Sequence, residues 1–178
     1  MASERLTRQQ CIDMLKEYGT PPHVAAHCIA VAEVAVRLGK ALNEHGYNID
    51  IPLAENAALL HDIARVEDEH WNVGADYLES KGLRDQADIV RIHMFYDPFS
   101  PVDKLNETDL VCIGDRTVKE HTYVGVDERF EYIMNKPHNL SPQARRRIEA
   151  RKSEMKKLLD EIAEVIGCSL DKLMEDGK

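Results

Sequence analysis

The sequence predicts a single all-α domain, a helical bundle, on three observations. Apolar residues recur at three- and four-residue spacing along most of the chain. Capping residues, prolines and glycines interrupt that pattern at intervals suited to helices. Strand signals are confined to "HTYVGV", which reads as a short extended piece at most.

Each element has its own local cause. Thr7 with Gln10 makes a capping-box pattern, opening a helix that stops near Gly19. Pro22 suits the first turn of a second helix, "PHVAAHCIAVAEVAVRLGKALNEHG", which ends at Gly46. On it His27, Val31, Val34, Leu38 and Leu42 share one apolar stripe. Pro52 opens a third helix, "PLAENAALLHDIAR"; a fourth covers about His70 to Lys81 and stops at Gly82. A fifth spans roughly Arg84 to Met94, and "YDPFSP" is a loop because each proline restricts itself and its predecessor. A sixth helix carries "ETDLVCIGDRTV" and a shorter one "DERFEYIMNK". From Ser141 a long helix runs "SPQARRRIEARKSEMKKLLDEIAEVIG", followed by a short "SLDKLM". With no repeat, low-complexity stretch or long linker, the expected organisation is one domain over 1–178. Its core lies at about 22–135, with a C-terminal helical extension at 141–178.

Composition narrows the class of function. The 178 residues include 43% hydrophobic and 31% charged, as in ordinary globular proteins. A net charge of −9 disfavours nonspecific binding to nucleic acid or an anionic membrane. No apolar run approaches the ~20 residues of a membrane helix, and "MASERLTRQQ" has no signal-peptide apolar segment. Cys11, Cys28, Cys112 and Cys168 are scattered without a CxxC pair, so unpaired thiols in a reducing cytoplasm are expected.

The chemistry sits in "ALLHDIAR". His61 and Asp62 interrupt an apolar run, and burying a charge costs several kcal/mol unless a partner compensates it (on the order given by transfer data). His45, His121 and His138 fall at helix ends or in polar turns and read as solvated; His23, at a helix start, reads the same way. His27 or His93 alone would be an ordinary core histidine. Together, four helices each place His or Asp on or beside a core-facing stripe: His27, then His61 with Asp62, then His93, then Asp115. His70 adds a fifth contribution. Imidazole and carboxylate suit Zn²⁺, Mn²⁺ and iron, helices in a bundle can bring such ligands together, and a dication would compensate Asp62 and Asp115. The lack of cysteine pairs argues against a structural zinc site.

These residues resemble the HD-domain superfamily of metal-dependent phosphohydrolases. "HCIAVAEVAVRLG", "AALLHDIAR", "HWNVGADYL", "IVRIHM" and "LVCIGDR" follow one another in that family's order over most of 22–135. The resemblance implies that His27, His61, Asp62 and Asp115 hold one metal. "HWNVGADYL" and "IVRIHM" are similar to the subgroup with a second ion, such as bacterial diadenosine tetraphosphate hydrolases. It implies a second ion held by His70 and His93, with Asp62 bridging. "GDRTVKEHTYVGVDERF" also resembles small HD proteins associated with molybdenum-cofactor nucleotidyltransferases. Where many members carry HDxxK, this chain has Arg65, which keeps the charge and adds a fork suited to phosphate. The plain alternative for Arg65 is a surface residue paired with Glu67 or Asp68.

The implied activity is hydrolysis of a phosphoester or phosphoanhydride, of a nucleotide, with metal coordination lowering the pKa of the attacking water. One or two divalent ions among Fe, Mn, Co, Ni and Zn are expected. Asp62 and Arg65 are the catalytic candidates; Arg65, Arg116 and Lys119 are candidates for neutralising substrate phosphate. The expected partner is a phosphorylated small molecule, with no membrane or specific nucleic acid, and homo-oligomerisation is left open. Two alternatives stand beside this. The same six ligands suit a mixed-valent diiron oxygenase of the HD type. The basic run "RRRIEARKSEMKK", with seven basic and two acidic residues, would suit a non-catalytic nucleotide-binding or interaction module. Its plainer reading is a solvated face with ion pairs within the helix, such as Glu154 with Lys157.

Overall fold

Local signals act where the sequence puts them. In the computed structural model, which describes residues 2–136 and 140–176, helix α1 spans Arg8–Tyr18. Thr7 and Gln10 close the capping box reciprocally, and Gly19 ends the helix at φ 89°, a conformation that favours glycine. The other helices are α2 (Pro22–Glu44), α3 (Ile51–Leu60), α4 (His70–Ser80), α5 (Arg84–Ile92), α6 (Glu107–Asp115), α7 (Gly125–Asn135), α8 (Pro142–Ile166) and α9 (Leu170–Glu175). Strands β1 (Val118–Lys119) and β2 (Thr122–Tyr123) pair antiparallel, with Val118 opposite Tyr123. The fold is all-α, as the sequence predicts. Among the described residues no helix is long and apolar enough to cross a membrane. The four cysteines are unpaired thiols. His138 lies outside the described residues.

The long helix α2 is the centre of the array. Its stripe of Val31, Val34, Leu38 and Leu42 is fully buried, and α3 and α6 pack on either side of it. Each such aliphatic side chain contributes about 1.5–3 kcal/mol relative to exposure. Helix α1 packs on α3, α4 pairs with α5, α7 with α8, and α9 returns to α2. Helix α6 comes close to the α2 backbone at Gly114, where a Cβ would meet the Val31 carbonyl oxygen at 2.8 Å. Only glycine lets α6 come this near to α2, and Asp115 is the next residue.

Three helices end earlier than predicted, each at a candidate site residue. Helix α3 stops at Leu60, so His61 and Asp62 occupy tight turns rather than a continuing helix. The cause is local: the His61 ring donates from Nδ1 to the Ala58 carbonyl at 2.7 Å, taking the acceptor a continuing helix would offer to the Asp62 amide. Thr20 Oγ1 then holds the turn by donating to the Ile63 carbonyl. Helix α5 stops at Ile92 by the same device, His93 Nδ1 donating to the Val90 carbonyl before a 3-10 turn, His93–Phe95. Helix α6 stops at Asp115, short of Val118.

The basic run on α8 pairs differently from expectation. Glu154 and Lys157 do not form an ion pair. Instead Lys152 and Lys156 reach Asp127 of α7 at 2.8 and 2.9 Å, and Arg151 reaches Asp97 in the loop after the 3-10 turn. The charge of α8 therefore partly fastens it to its neighbours.

Candidate metal centre

The ends of α3, α5 and α6, the first third of α2 and the start of α4 meet at one place. The six candidate ligands, His27, His61, Asp62, His70, His93 and Asp115, all lie there. Asp62 is central: its Oδ1 lies 3.1 Å from His70 Nε2 and 3.6 Å from His93 Nε2, while Oδ2 lies 3.7 Å from His61 Nε2. Asp115 Oδ1 lies 3.0 Å from His27 Nε2 and 3.8 Å from His61 Nε2. His61, His70, His93 and Asp62 are buried, and Asp115 keeps about a quarter of its side chain (24%) open to the adjoining cleft.

The protons of three rings are assigned by their partners. His27, His61 and His93 each place Nδ1 against a backbone carbonyl, of Glu120, Ala58 and Val90, at 2.6–2.7 Å. A carbonyl only accepts, so Nδ1 carries the hydrogen and a neutral ring turns a lone pair on Nε2 inward. On His61 and His93 those lone pairs face carboxylate oxygens, acceptor against acceptor, whereas His27 Nε2 is hydrogen-bonded to Asp115 Oδ1 at 3.0 Å. His61 Nε2, His70 Nε2, His93 Nε2 and Asp62 Oδ1 are all buried with no hydrogen-bond partner. Buried polar atoms are normally satisfied; four unsatisfied ones converging within a few ångströms call for a cation.

The electrostatics point the same way. Burial disfavours the Asp62 carboxylate, but the facing His61, His70 and His93 hold its pKa well below the ordinary range. Asp115 is likewise lowered against burial, by His27 and His61. Burial also opposes charge on His27 and His93, yet Asp115 and Asp62 raise both above 6.5. His61, the most enclosed, is lowered by burial despite both carboxylates. Two triads, His27–His61–Asp115 and His61–Asp62–His93, each offer atoms within 4.8 Å of one another, spacing that can hold a metal ion. His61 belongs to both. His70 joins through Asp62.

The centre opens into a cleft of about 960 Å³. Arg65 lines it with Nε 3.4 Å from Asp62 Oδ2, so its partner is Asp62 rather than Glu67 or Asp68. Arg116 lines it too, donating to the Tyr96 carbonyl at 2.6 Å and lying over the Phe99 ring. Lys119 instead pairs with Glu128 at 3.1 Å and is not among the residues lining the cleft. His23 and His121, exposed as expected, stand at its edge. Sequence reasoning missed the wall contributed by α7 and α8: Arg129, Tyr132, Ile133, Lys136 and Arg151. The first four follow i, i+3, i+4, i+7 spacing, a single helix face with a cation at each end, which was the available signal.

Comparison with known proteins agrees with this geometry. A family model described as HD domain matches residues 24–174. The chain is 38% identical over 90 residues to a tRNA (cytidine(56)-2'-O)-methyltransferase of Thermoplasma volcanium, covering 48% of this chain and 25% of that protein. It is 37% identical over 71 residues to an uncharacterized protein of Methanocaldococcus jannaschii, covering 38% of this chain and 42% of the other. The chain thus spans between a quarter and about two fifths of the length of these curated relatives. No solved structure matches it. Because the family match takes in all six converging side chains and most of the helices, the chain belongs to the HD-domain family.

Proposed function

We propose that this chain is a metal-dependent phosphohydrolase that cleaves a phosphoester or phosphoanhydride bond in a nucleotide. The observation that carries it is the set of four buried, unpartnered atoms on His61, Asp62, His70 and His93, beside a cleft lined with cations. His27, His61, Asp62 and Asp115 would hold one divalent ion, and His70 and His93, together with Asp62, would hold a second. Iron, manganese, cobalt, nickel and zinc all accept such donors. Bound there, the ions would supply Lewis acidity and lower the pKa of water toward neutrality.

The chain's own residues do the rest. Carbonyls of Ala58, Val90 and Glu120 fix the ring orientations through Nδ1, which keeps Nε2 free for ligation. Arg65 contacts the substrate phosphate once Asp62 is committed to the ions, and Arg116, braced on Tyr96 and Phe99, supplies a second cation. The two-ion subgroup, from the resemblance, and a small phosphorylated partner belong to the same proposal. The methyl transfer in the name of the Thermoplasma relative is not proposed here, since the match spans 25% of that protein.

The test is metal analysis of purified protein joined to an activity screen. It spans dinucleoside polyphosphates, nucleoside mono- and triphosphates, cyclic nucleotides and simple phosphomonoesters, with Mn²⁺, Fe²⁺, Co²⁺ and Mg²⁺ each tried. We expect one to two ions per chain, as a two-metal mechanism requires, and phosphate release without oxygen. Full activity of metal-free protein, or substrate-dependent oxygen consumption in place of phosphate release, overturns the proposal.

A further inference from the structure

The α7 wall of the cleft is not used by the reaction described above. Arg129 and Tyr132 lie on one face of α7, Lys136 follows as its C-cap residue two turns beyond Arg129, and all three line the cleft. The Arg129 guanidinium carbon is 5.8 Å and Lys136 Nζ 4.9 Å from the Tyr132 ring centroid. Arg129 is only 14% exposed; it donates through Nε to the Asp115 carbonyl and its Nη2 lies 3.9 Å from Asp115 Oδ1, so it links the wall to the centre. Lys136 has no ion pair to a carboxylate among the described residues. Like charges gathered in a half-buried wall repel one another, and burial together with Arg129 and Arg65 pushes the Lys136 ammonium down. In a chain of net charge −9, this concentration of cations runs against the overall composition.

A single phosphate at the ions would leave that wall uncompensated. Arg65, Arg116 and Arg129 stand with the His/Asp centre, by contact with Asp62, by adjacency to Asp115 and by the ion pair with Asp115, whereas Lys136 sits at the C-terminal cap of α7 with no carboxylate partner among the described residues. We infer that Lys136, with Arg129 and the Tyr132 ring, forms a second anion subsite, so that the substrate carries a non-reacting phosphate or carboxylate besides the phosphoryl group that is cleaved. The inference rests on the phosphohydrolase reading of the same cleft. It deepens that reading by restricting the substrate class to molecules with two separated anionic groups.

Calorimetry on the whole metal-loaded protein tests it with two probes that cannot be hydrolysed, methylphosphonate and 1,3-propanebisphosphonate. The subsite predicts that the two-headed probe binds about tenfold or more tighter, the effect of one charge-assisted contact. In K136Q and in K136M, which keeps the apolar stem on Tyr132, that ratio collapses to within about threefold; in K136R it returns. Circular dichroism melts identify any variant that fails to fold, and the ratio is read from those that do. No preference in the wild type, or an unchanged ratio in both K136Q and K136M, overturns the subsite. If the ratio collapses as expected while the metal-loaded protein releases phosphate from none of the screened esters, the subsite stands and the hydrolase reading falls.

Discussion

Asp62→Asn is the substitution that separates a metal centre from a merely polar core. Asp62 faces three imidazole Nε2 atoms at 3.1–3.7 Å, and amide replaces carboxylate with almost no change of shape. A unit charge about 4 Å from another is worth roughly 4 kcal/mol at an effective dielectric near 20. Removing the Asp62 charge therefore weakens binding of even a singly charged species by about three powers of ten, at roughly 1.4 kcal/mol each; a dication loses more. Wild-type protein at a free metal concentration 100 times its Kd gains about 2.7 kcal/mol. For a domain of this size, each kcal/mol moves Tm by about 2–4 °C, so loading raises it by roughly 5–11 °C. The assay is a thermal melt with chelator and then with each of Mn²⁺, Fe²⁺, Co²⁺, Ni²⁺ and Zn²⁺. D62N should stay helical and show almost none of the metal-dependent rise. An equal rise in D62N, or none in the wild type with any of the five ions, refutes the reasoning.

Other outcomes follow from the same geometry. Metal affinity should climb with pH: burial opposes charge on His27 and His93, but Asp115 and Asp62 raise both above 6.5, so below the raised values a proton on each ring competes with a cation. Affinity then rises through pH 6.5 and levels only above the raised values, and calorimetry at pH 6.5 in two buffers of different ionisation enthalpy should register proton release. Gly114→Ala places a Cβ 2.8 Å from the Val31 carbonyl oxygen, so it should cost about 1–3 kcal/mol as overpacking. It should also weaken metal binding by shifting Asp115; an unchanged melt and affinity would count against the close α2–α6 contact. Burial pushes the Cys11 and Cys112 thiols up to about 12 and raises Cys28, whereas Cys168 is half-buried. A disulfide reagent at pH 8 should find one fast thiol in the folded protein and four after denaturation.

The helices were legible because capping residues, prolines and glycines act over a few positions. Thr7, Pro22 and Gly19 do in the fold what their chemistry dictates in any chain. The early ends of α3 and α5 were not legible from apolar period alone, since "ALLHDIAR" keeps its pattern through the break. What breaks the helix is a ring-to-carbonyl bond that competes with the backbone. The gathering of His27, His61, Asp62, His70, His93 and Asp115 could be anticipated because buried polar side chains need partners, and one centre supplies partners for all. Arg129 and Lys136 escaped notice for the opposite reason. A charge on an amphipathic helix ordinarily faces water, and only the seating of α7 against α8 and β1, with Arg129 reaching the Asp115 carbonyl, turns these two toward the cleft.

The early helix ends also bear on why a cation belongs here. A helix C-terminus carries about half a negative charge from its unsatisfied carbonyls. Helices α3, α5 and α6 all end at the centre, bringing three such ends beside the Asp62 and Asp115 carboxylates. Had α3 run on through Arg65, its negative end would have been carried past His61, and adjacent residues set 100° apart could not both turn inward. The tight turn at 61–62 solves both problems, and the ring that makes it is itself a candidate ligand. The cleft is therefore polarised: negative helix ends and carboxylates at its base, cations along the α7 wall. A neutral ligand gains nothing from that arrangement. A ligand that presents anionic oxygens to metal ions at one end and a second anion to Lys136 at the other uses both halves of the field.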